Sequence, residues 1–202
     1  MLRLLDFLFP PRTDEVTLRT VSTETFLALM NVRLAEKTSP ATTALLPFPN
    51  AAVRAAIHEA KYHGNEHALA LLGAALARYL LDSGQTGAAT YLVPVPLGAA
   101  RRRERGFNQV EEVARRAAAL SGVHVDTSLL VRTRETHSQV SLPRQEREEN
   151  MRDAFATTHA PVGAHHYLVL DDVLTTGATL QAALDPLIAA GATHVSALAL
   201  AH

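Results

Sequence analysis

The sequence predicts an α/β fold in which a mainly parallel sheet carries helices on both faces. Short apolar segments alternate with segments of helical periodicity from residue 51 onwards, which is typical of strand–helix–strand units. The chain has 202 residues, enough for one substantial domain with a small appendage. Its 48% hydrophobic and 19% charged residues are ordinary for a globular protein, so disorder along the whole chain is excluded.

The first part of the chain, residues 10–50, is rich in Thr, Ser and Pro and shows weak periodicity. Short strands are predicted around Val16 and Leu18 and from Phe26 to Leu34. The run Pro47-Phe48-Pro49-Asn50 favours a boundary, with its asparagine as a helix N-cap. We therefore predict an N-terminal arm or subdomain over residues 1–49 and a main domain over residues 50–202.

The main domain is predicted to begin with two helices. The first starts at Ala51 and is broken by Gly64, because four apolar residues between them share one face: Val53, Ala56, Ile57 and Ala60. The second runs from about His67 to Leu81. The later predicted elements are strands at 91–95, 123–131, 167–170 and 194–200, and helices at 107–120 and 178–190. Residues 132–153 form a charged, irregular stretch.

Composition excludes several kinds of site. The chain has no cysteine, so disulfides and cysteine-ligated zinc or iron–sulfur sites are excluded. The ten histidines show no metal-ligand spacing, and no zinc is expected. A net charge of −1 gives no strong field for nucleic acid. Lys37 and Lys61 are the only lysines, and the remaining basic residues are arginines, which suit bidentate phosphate recognition.

No membrane-spanning segment is predicted. The apolar opening at residues 1–10 is interrupted by Arg3 and Asp6, which argues against a signal peptide. The apolar stretch from Ala68 to Leu81 is too short to cross a bilayer and contains Arg78. A cytoplasmic location is therefore expected.

The most informative segment is a strand, a short loop and a helix start, with the sequence Tyr167-Leu168-Val169-Leu170-Asp171-Asp172-Val173-Leu174-Thr175-Thr176-Gly177-Ala178-Thr179-Leu180. Ligands of open α/β sheets bind beyond the carboxyl ends of the strands, where this segment places Asp171 and Asp172. Backbone N–H groups from Thr175 to Thr179, including that of Ala178, lie at the positive end of the helix dipole and suit a phosphate. Gly177 permits close approach of the backbone.

The hydroxyls of Thr175, Thr176 and Thr179 add hydrogen-bond donors for the same phosphate. Asp171 and Asp172 would repel it, so they suit ribose hydroxyls or a Mg²⁺ ion that bridges sugar and pyrophosphate. The plain alternative is a strand–turn–helix with solvated acids. A P-loop lacks its Gly-Lys-Ser/Thr ending here, and a dinucleotide site lacks its Gly-x-Gly-x-x-Gly.

This segment resembles the phosphoribosyl-pyrophosphate signature of type I phosphoribosyltransferases, and further motifs resemble the ComF family in the family's order. Those motifs are the opening Leu-Leu-Asp-Phe-Leu-Phe-Pro, Lys61-Tyr62-His63-Gly64, Leu92 to Leu97, Arg105-Gly106-Phe107-Asn108-Gln109, and Arg132 to Gln139 followed by Arg147 and Asn150 to Phe155. Together they cover most of the chain. The resemblance implies a type I phosphoribosyltransferase-like core. ComF-like proteins usually carry a four-cysteine zinc ribbon near the N-terminus, which this cysteine-free chain has lost or replaced by a metal-free version in residues 10–45.

The resemblance also implies roles for three further groups of residues. The loop after the first core strand would hold pyrophosphate, with Leu97, Gly98, Arg101 and Arg105 as candidates. The stretch 132–150 would close over the substrate as a flexible loop, with Arg132, Arg134, Gln139 and Arg147 as candidates. Lys61 is a further candidate. The plain alternatives are a solvated basic helix start and a charged surface loop.

Two functions follow from the resemblance. One is a phosphoribosyltransferase that uses 5-phosphoribosyl 1-pyrophosphate (PRPP) with Mg²⁺ and has catalytic Asp171 and Asp172, with a role in natural competence and DNA uptake. No residue of the sequence identifies its acceptor, and the oligomeric state is left open. The other is a non-catalytic module that binds PRPP in the same site, or that contacts single-stranded DNA through the arginines at 101–105 and the charged loop. Competence proteins are a further expected class of partner.

Overall fold

The computed structural model describes residues 12–134 and 153–202. The helices, numbered along the chain, are α1 (Thr13–Leu18), α2 (Thr23–Leu27), α3 (Ala51–His63), α4 (Glu66–Asp82), α5 (Ala99–Arg105), α6 (Gln109–Ser121) and α7 (Ala178–Ala189). The strands are β1 (Arg33–Ala35), β2 (Thr42–Leu46), β3 (Thr90–Pro94), β4 (His124–Val125), β5 (Leu130–Arg132), β6 (Phe155–Thr157), β7 (His166–Val173) and β8 (His194–Ala201).

Six of these strands form one sheet in the order β1-β2-β8-β7-β3-β4. All neighbours in it are parallel except β1 and β2, which form an antiparallel pair. Strands β5 and β6 form a separate antiparallel pair. The mainly parallel sheet predicted from the sequence is therefore confirmed.

Helices cover both faces of this sheet, because its strands bury side chains on both sides. On β7, Leu168 and Leu170 belong to the cluster that contains α3, α4 and α6. Tyr167 and Val169, one position out of phase, belong to the cluster that contains α7 and the β5–β6 pair. The near-continuous apolar runs of β7 and β8 follow from this double burial.

The N-terminal segment differs from its prediction. Val16 and Leu18 lie in α1 and Phe26 lies in α2, so the strands predicted there are wrong, and only the end of the second prediction overlaps β1. Ser22 caps α2 by accepting a hydrogen bond from the Thr25 backbone N–H. Phe26 and Leu18 are fully buried in the cluster of α3 and α4, so tertiary packing decides their conformation.

Part of the predicted arm is continuous with the central sheet. Strand β2 pairs along its length with β8, with Thr42 opposite Ala197 and Leu46 opposite Ala201. The boundary at residue 49 coincides with the start of α3, where the Asn50 side chain accepts hydrogen bonds from the Ala52 and Val53 N–H groups. The division of the chain into two domains stays a prediction.

An ion pair between a half-exposed arginine and a buried glutamate joins the N-terminal segment to α3. The Arg12 guanidinium donates two hydrogen bonds to the Glu59 carboxylate, at 2.8 Å and 2.7 Å, and Asn65 Nδ2 donates a third at 3.1 Å. The Glu59 side chain is 1% exposed, whereas that of Arg12 is 47% exposed. Hydrogen bonding to Arg12 is the largest influence on Glu59 and holds the pKa of its carboxyl below the usual value.

The single strand predicted over residues 123–131 is wrong. The structure has two short strands there, β4 in the central sheet and β5 in the separate pair. Asp126 turns the chain between them, because its Oδ1 accepts hydrogen bonds from the Ser128 N–H at 2.8 Å and the Leu129 N–H at 2.9 Å. This turn carries β5 off the sheet.

The other helices and strands of the main domain lie close to their predicted positions, except that neither the helix α5 nor the strand β6 was predicted. Among the described residues, no helix has both the length and the apolar character needed to cross a bilayer.

Candidate functional site

A cavity of about 500 Å³ opens at the carboxyl ends of β3 and β7. These strands are parallel neighbours, with Pro94 opposite Leu170, so the chain segments that leave them emerge side by side. The cavity is lined by Lys61, Tyr62, Val95, Pro96, Leu97, Arg101, Glu104, Arg105, Gln109, Val110, Arg132, Asp171, Asp172, Val173, Thr175 and Thr179. It therefore brings together residues from most of the segments that the sequence singled out.

The acidic pair lies within β7, whose last residue is Val173, and both carboxylates border the cavity. Asp172 is 7% exposed and strongly held. Its Oδ2 lies 2.9 Å from Lys61 Nζ and accepts a hydrogen bond from Gln109 Nε2, also at 2.9 Å. Its Oδ1 accepts from the Val173 N–H at 2.8 Å. A buried carboxylate with these partners is fixed in position and in charge.

The two carboxyls have different proton affinities. Burial by itself would raise the pKa of Asp172, but attraction to Lys61 and the hydrogen bonds from Lys61 and Gln109 outweigh it, so the pKa is lowered. For Asp171, burial and then repulsion from the charged Asp172 raise the pKa to about 7. Burial opposes the charge on Lys61, yet the acidic pair raises the pKa of its ammonium. Near neutral pH, the site therefore holds one fixed carboxylate and one that can take up a proton.

The raised pKa of Asp171 predicts how the stability of the protein changes with pH. The pKa of Asp171 is raised from 3.8 to about 7, so the folded protein binds its proton more tightly than the unfolded chain does. Stability contributed by this proton is therefore lost as the pH rises from about 4 to about 7. We expect Asp171→Asn to stabilise the protein relative to wild type, by an amount that grows over this range and then levels off. Urea unfolding at pH 4 to 9 measures it.

Asp172→Asn is the matched comparison, and its effect on stability should have the opposite sign. The pKa of Asp172 is lowered, so its charge contributes stability above the unfolded value of 3.8, and this is lost as the pH falls through the lowered pKa. At pH 8 we expect Asp172→Asn to be less stable than wild type. Two variants that shift stability in the same direction at pH 8 would contradict this assignment of charge.

The threonine-containing loop borders the cavity and a small adjoining recess. Thr175 and Thr179 line both, and Gly177 and Ala178 line the recess alone. Gly177 has a φ of 87°, in the left-handed region, and stands as the N-cap of α7. The first backbone N–H groups of a helix have no partner within it, so those that follow Ala178 in the first turn of α7 are available to an anion. Thr176 lines neither space, and its Oγ1 accepts a 3.3 Å hydrogen bond from the Ala178 N–H.

Three of the four candidate pyrophosphate residues border the same cavity. Leu97, Arg101 and Arg105 line the cavity, and Gly98 is the buried N-cap of α5. Arg105 Nη1 donates to Gln109 Oε1 at 3.3 Å, and its guanidinium lies 5.2 Å from the centre of the Tyr62 ring. Gln109 thus connects this arginine with Asp172.

Of the four candidates in the flexible loop, Arg132 is placed at the cavity. It belongs to β5, and its guanidinium lies 5.3 Å from the centre of the Phe155 ring. Arg134 is exposed and does not line the cavity. Gln139 and Arg147 lie outside the described residues.

Three contributors were not predicted as site residues. Gln109 and Tyr62 lie within segments that resemble the ComF family, but no sequence pattern indicates that their side chains contact Asp172 or Arg105. Lys37 is distinguished in the sequence only as one of two lysines. Its Nζ donates a 2.6 Å hydrogen bond to the Thr175 carbonyl across 138 positions of sequence. Local patterns contain no signal for contacts of such separation.

The acidic pair has few carboxylate oxygens left to coordinate a magnesium ion. Lys61, Gln109 and Val173 occupy both oxygens of Asp172, and the Asp172 N–H donates to Asp171 Oδ1 at 2.8 Å. Among the described residues, Asp171 Oδ2 makes no hydrogen bond or ion pair, and no group of three acidic or histidine side chains could hold a metal. The donor set therefore fits an ion that arrives on a phosphorylated ligand and gains one carboxylate oxygen.

The fold and the cavity define an α/β protein with a site at the carboxyl edge of a parallel sheet, built from an acidic pair, a helix start and arginines. Its sequence is similar to that of DNA utilization protein YhgH from Salmonella typhi, 32% identical over 142 residues. The protein of the same name from Escherichia coli K12 is 30% identical over 142 residues. Both alignments cover 69% of this chain and 62% of the relative, so the chain spans less than two thirds of their length.

Competence protein F from Haemophilus influenzae is 28% identical over 92 residues, 45% of this chain and 40% of that protein. The resemblance to competence-associated proteins is thus confirmed at the level of sequence similarity. No protein-family model matches the chain. Among solved structures, the allosteric regulatory enzyme of purine biosynthesis aligns with a TM-score of 0.43 and 19% identity, over 71% of this chain and 30% of that one.

Proposed function

We propose that the cavity binds PRPP, or a closely similar phosphorylated ribose, and that the chain transfers its ribosyl 5-phosphate to a nucleophilic acceptor. One observation carries the proposal. A single cavity has a helix start at one side, arginines at another, and the acidic pair of β7 among its walls. Such an arrangement offers two sites for phosphate and, near them, an acceptor for sugar hydroxyls.

Each part has a defined role in this proposal. The 5′-phosphate binds the N–H groups at the start of α7 and the hydroxyls of Thr175 and Thr179. A ribose hydroxyl donates to Oδ2 of Asp171. Arg101 and Arg105 bind the pyrophosphate. The threonine hydroxyls and arginines donate hydrogen bonds to phosphate oxygens without bringing a negative charge near them.

In the transfer, the bond between ribose C1 and the pyrophosphate oxygen breaks, and the acceptor forms a bond to C1 while losing a proton. Positive charge develops on the ribose, and the fixed carboxylate of Asp172 lies in the same cavity to stabilise it. Magnesium, bound through the ligand's phosphates, supplies charge neutralisation of the leaving pyrophosphate. Arg101 and Arg105 hold that group in place.

The biological setting is proposed from the relatives. Proteins named for DNA utilization and for competence are similar in sequence to this chain. The same site in a non-catalytic module would bind the phosphorylated ribose without turnover, or the exposed arginines Arg102 and Arg103 of α5 would bind single-stranded DNA. The names of the relatives favour a role in DNA uptake under either activity.

Calorimetric titration of PRPP with Mg²⁺ tests the proposal. We expect saturable binding to wild type and loss of that binding in Asp171→Asn/Asp172→Asn, because the variant replaces the carboxylate that accepts from ribose hydroxyls by a weaker amide acceptor and removes the fixed charge. Asp14→Asn/Asp82→Asn is the matched control, since it also removes two carboxylates but lies on α1 and α4, outside the cavity lining. It should bind as wild type does.

Three further results would change the conclusion. Folded wild type that binds no PRPP would overturn the proposal, and salt-dependent binding of single-stranded DNA would then support the module. Binding that survives in the site variant would move the ligand to another surface. Binding without Mg²⁺-dependent pyrophosphate release, across a screen of amine acceptors, would support a non-catalytic role.

A further inference from the structure

The loop between β1 and β2, residues 36–41, crosses the start of α7 and contacts it at three successive points. Lys37 Nζ donates to the Thr175 carbonyl at 2.6 Å. The Lys37 backbone lies directly against Gly177, where a Cβ atom would come within 2.5 Å of the Lys37 carbonyl oxygen. One turn further, the Ser39 N–H donates to Gln181 Oε1 at 2.7 Å. These contacts join a segment near residue 40 to the proposed phosphate loop.

The contact with Thr175 carries the most weight. Thr175 follows the end of β7 and precedes α7, so neither a strand ladder nor a helix supplies a partner for its carbonyl. An ammonium group makes a stronger hydrogen bond to a carbonyl than a neutral donor does. Lys37 is one of only two lysines in the chain, and the other, Lys61, contacts Asp172 in the same site.

The second and third contacts determine where the phosphate loop can lie. Because Gly177 packs against the Lys37 backbone, the turn that starts α7 cannot shift toward the β1–β2 loop. Gln181 Nε2 also donates to the Ser39 carbonyl at 3.4 Å, so this side chain exchanges two hydrogen bonds with one residue of the loop. A loop fixed in advance loses less conformational freedom when an anion binds, which raises its affinity.

We infer that Lys37 is a positioning residue, which together with the rest of the β1–β2 loop holds residues 175–179 in the conformation that binds phosphate. The inference rests on the proposed function for the identity of the ligand. The holding of the loop is a property of the free protein. Through Lys37, the N-terminal segment helps to hold the phosphate-binding loop in position.

Three variants test the inference. Lys37→Met removes the ammonium but keeps an unbranched side chain, and Lys37→Arg keeps a charged donor. Arg33→Met is the matched control, because Arg33 lies in the adjacent strand and donates instead to the His202 carbonyl at 3.0 Å. Hydrogen exchange of the amides at 181–184, the first in α7 with hydrogen-bond partners inside the helix, is measured without ligand, and PRPP affinity is measured by calorimetry with Mg²⁺.

In Lys37→Met we expect exchange at these amides to be about tenfold faster and PRPP affinity to fall about tenfold, as loss of a charge-assisted hydrogen bond predicts. Lys37→Arg should recover most of both, and Arg33→Met should change neither. The exchange of β3 amides should stay at the wild-type rate in all three variants, which shows that the effect is local.

Unchanged exchange at 181–184 in Lys37→Met would overturn the inference, as would equal effects of Lys37→Met and Arg33→Met, because charge alone would then explain them. A wild type that binds no PRPP would instead refute the proposed function. In that case, faster exchange confined to 181–184 in Lys37→Met would still support the positioning role.

Discussion

Arg12→Met is expected to lower the free energy of unfolding by about 3 kcal/mol, because it leaves the Glu59 carboxylate buried without its cation. Removing one partner of a fully buried pair costs about 3 to 5 kcal/mol, and the partial exposure of Arg12 places this case at the lower end. Urea unfolding at pH 7 measures the loss. The pKa of Glu59 is lowered, so the stability from this pair is present above its unfolded value of 4.5 and is lost as the pH falls through the lowered pKa.

The control is Arg78→Met on the surface of α4. Arg78 Nε lies 2.6 Å from Asp82 Oδ2, as close as the atoms of the Glu59 ion pair, but the two side chains are 60% and 56% exposed. An exposed pair of this spacing contributes about 0.3 to 0.5 kcal/mol. Similar losses for Arg12→Met and Arg78→Met would show that burial of Glu59 does not govern the energy of its ion pair.

Gly177→Ala is expected to weaken PRPP binding about 100-fold. A φ of 87° costs a residue with a Cβ about 1 to 2 kcal/mol, and the 2.5 Å approach to the Lys37 carbonyl forces a backbone shift worth about 1 to 3 kcal/mol more. The loop can relieve the clash only by leaving the position in which its N–H groups converge. A cost of about 3 kcal/mol to the loop conformation that binds phosphate lowers the affinity for PRPP about 100-fold. Calorimetry measures this loss.

Gly191→Ala separates the two causes of weaker PRPP binding in Gly177→Ala, which are the strained backbone conformation and the steric clash. Gly191 has a φ of 95°, close to that of Gly177, but a Cβ there would meet nothing within 4 Å. We expect Gly191→Ala to lose about 1 kcal/mol of stability from its backbone conformation and to bind PRPP as wild type does. Wild-type affinity in Gly177→Ala would contradict the close-packed loop and the role given to it.

The segment from β7 to α7 could be predicted from the sequence because its signals are local. An apolar run, two acids, a glycine and a helical pattern follow one another, and each restricts the backbone where it stands. The structure confirms the strand and the helix, and it places the acids inside the strand because β7 extends to Val173. The chemical roles of these residues stay predictions.

The N-terminal segment could not be predicted in the same way. Phe26 has a strand-like neighbourhood in sequence, yet it lies in a short helix that is held by burial against α4. The Arg12–Glu59 pair and the Lys37–Thr175 contact join positions 47 and 138 residues apart. Partners at such separations are chosen by the assembled fold, and one sequence contains no local trace of the choice.

The pairing of β2 with β8 affects when the site takes its final form during folding. Thr42 pairs with Ala197 across a long stretch of sequence, and parallel pairing at such separation is slow to form. The β1–β2 loop reaches the start of α7 through this pairing. The site is therefore complete only after this slow step, and a ligand that binds there stabilises folded chains over partly folded ones.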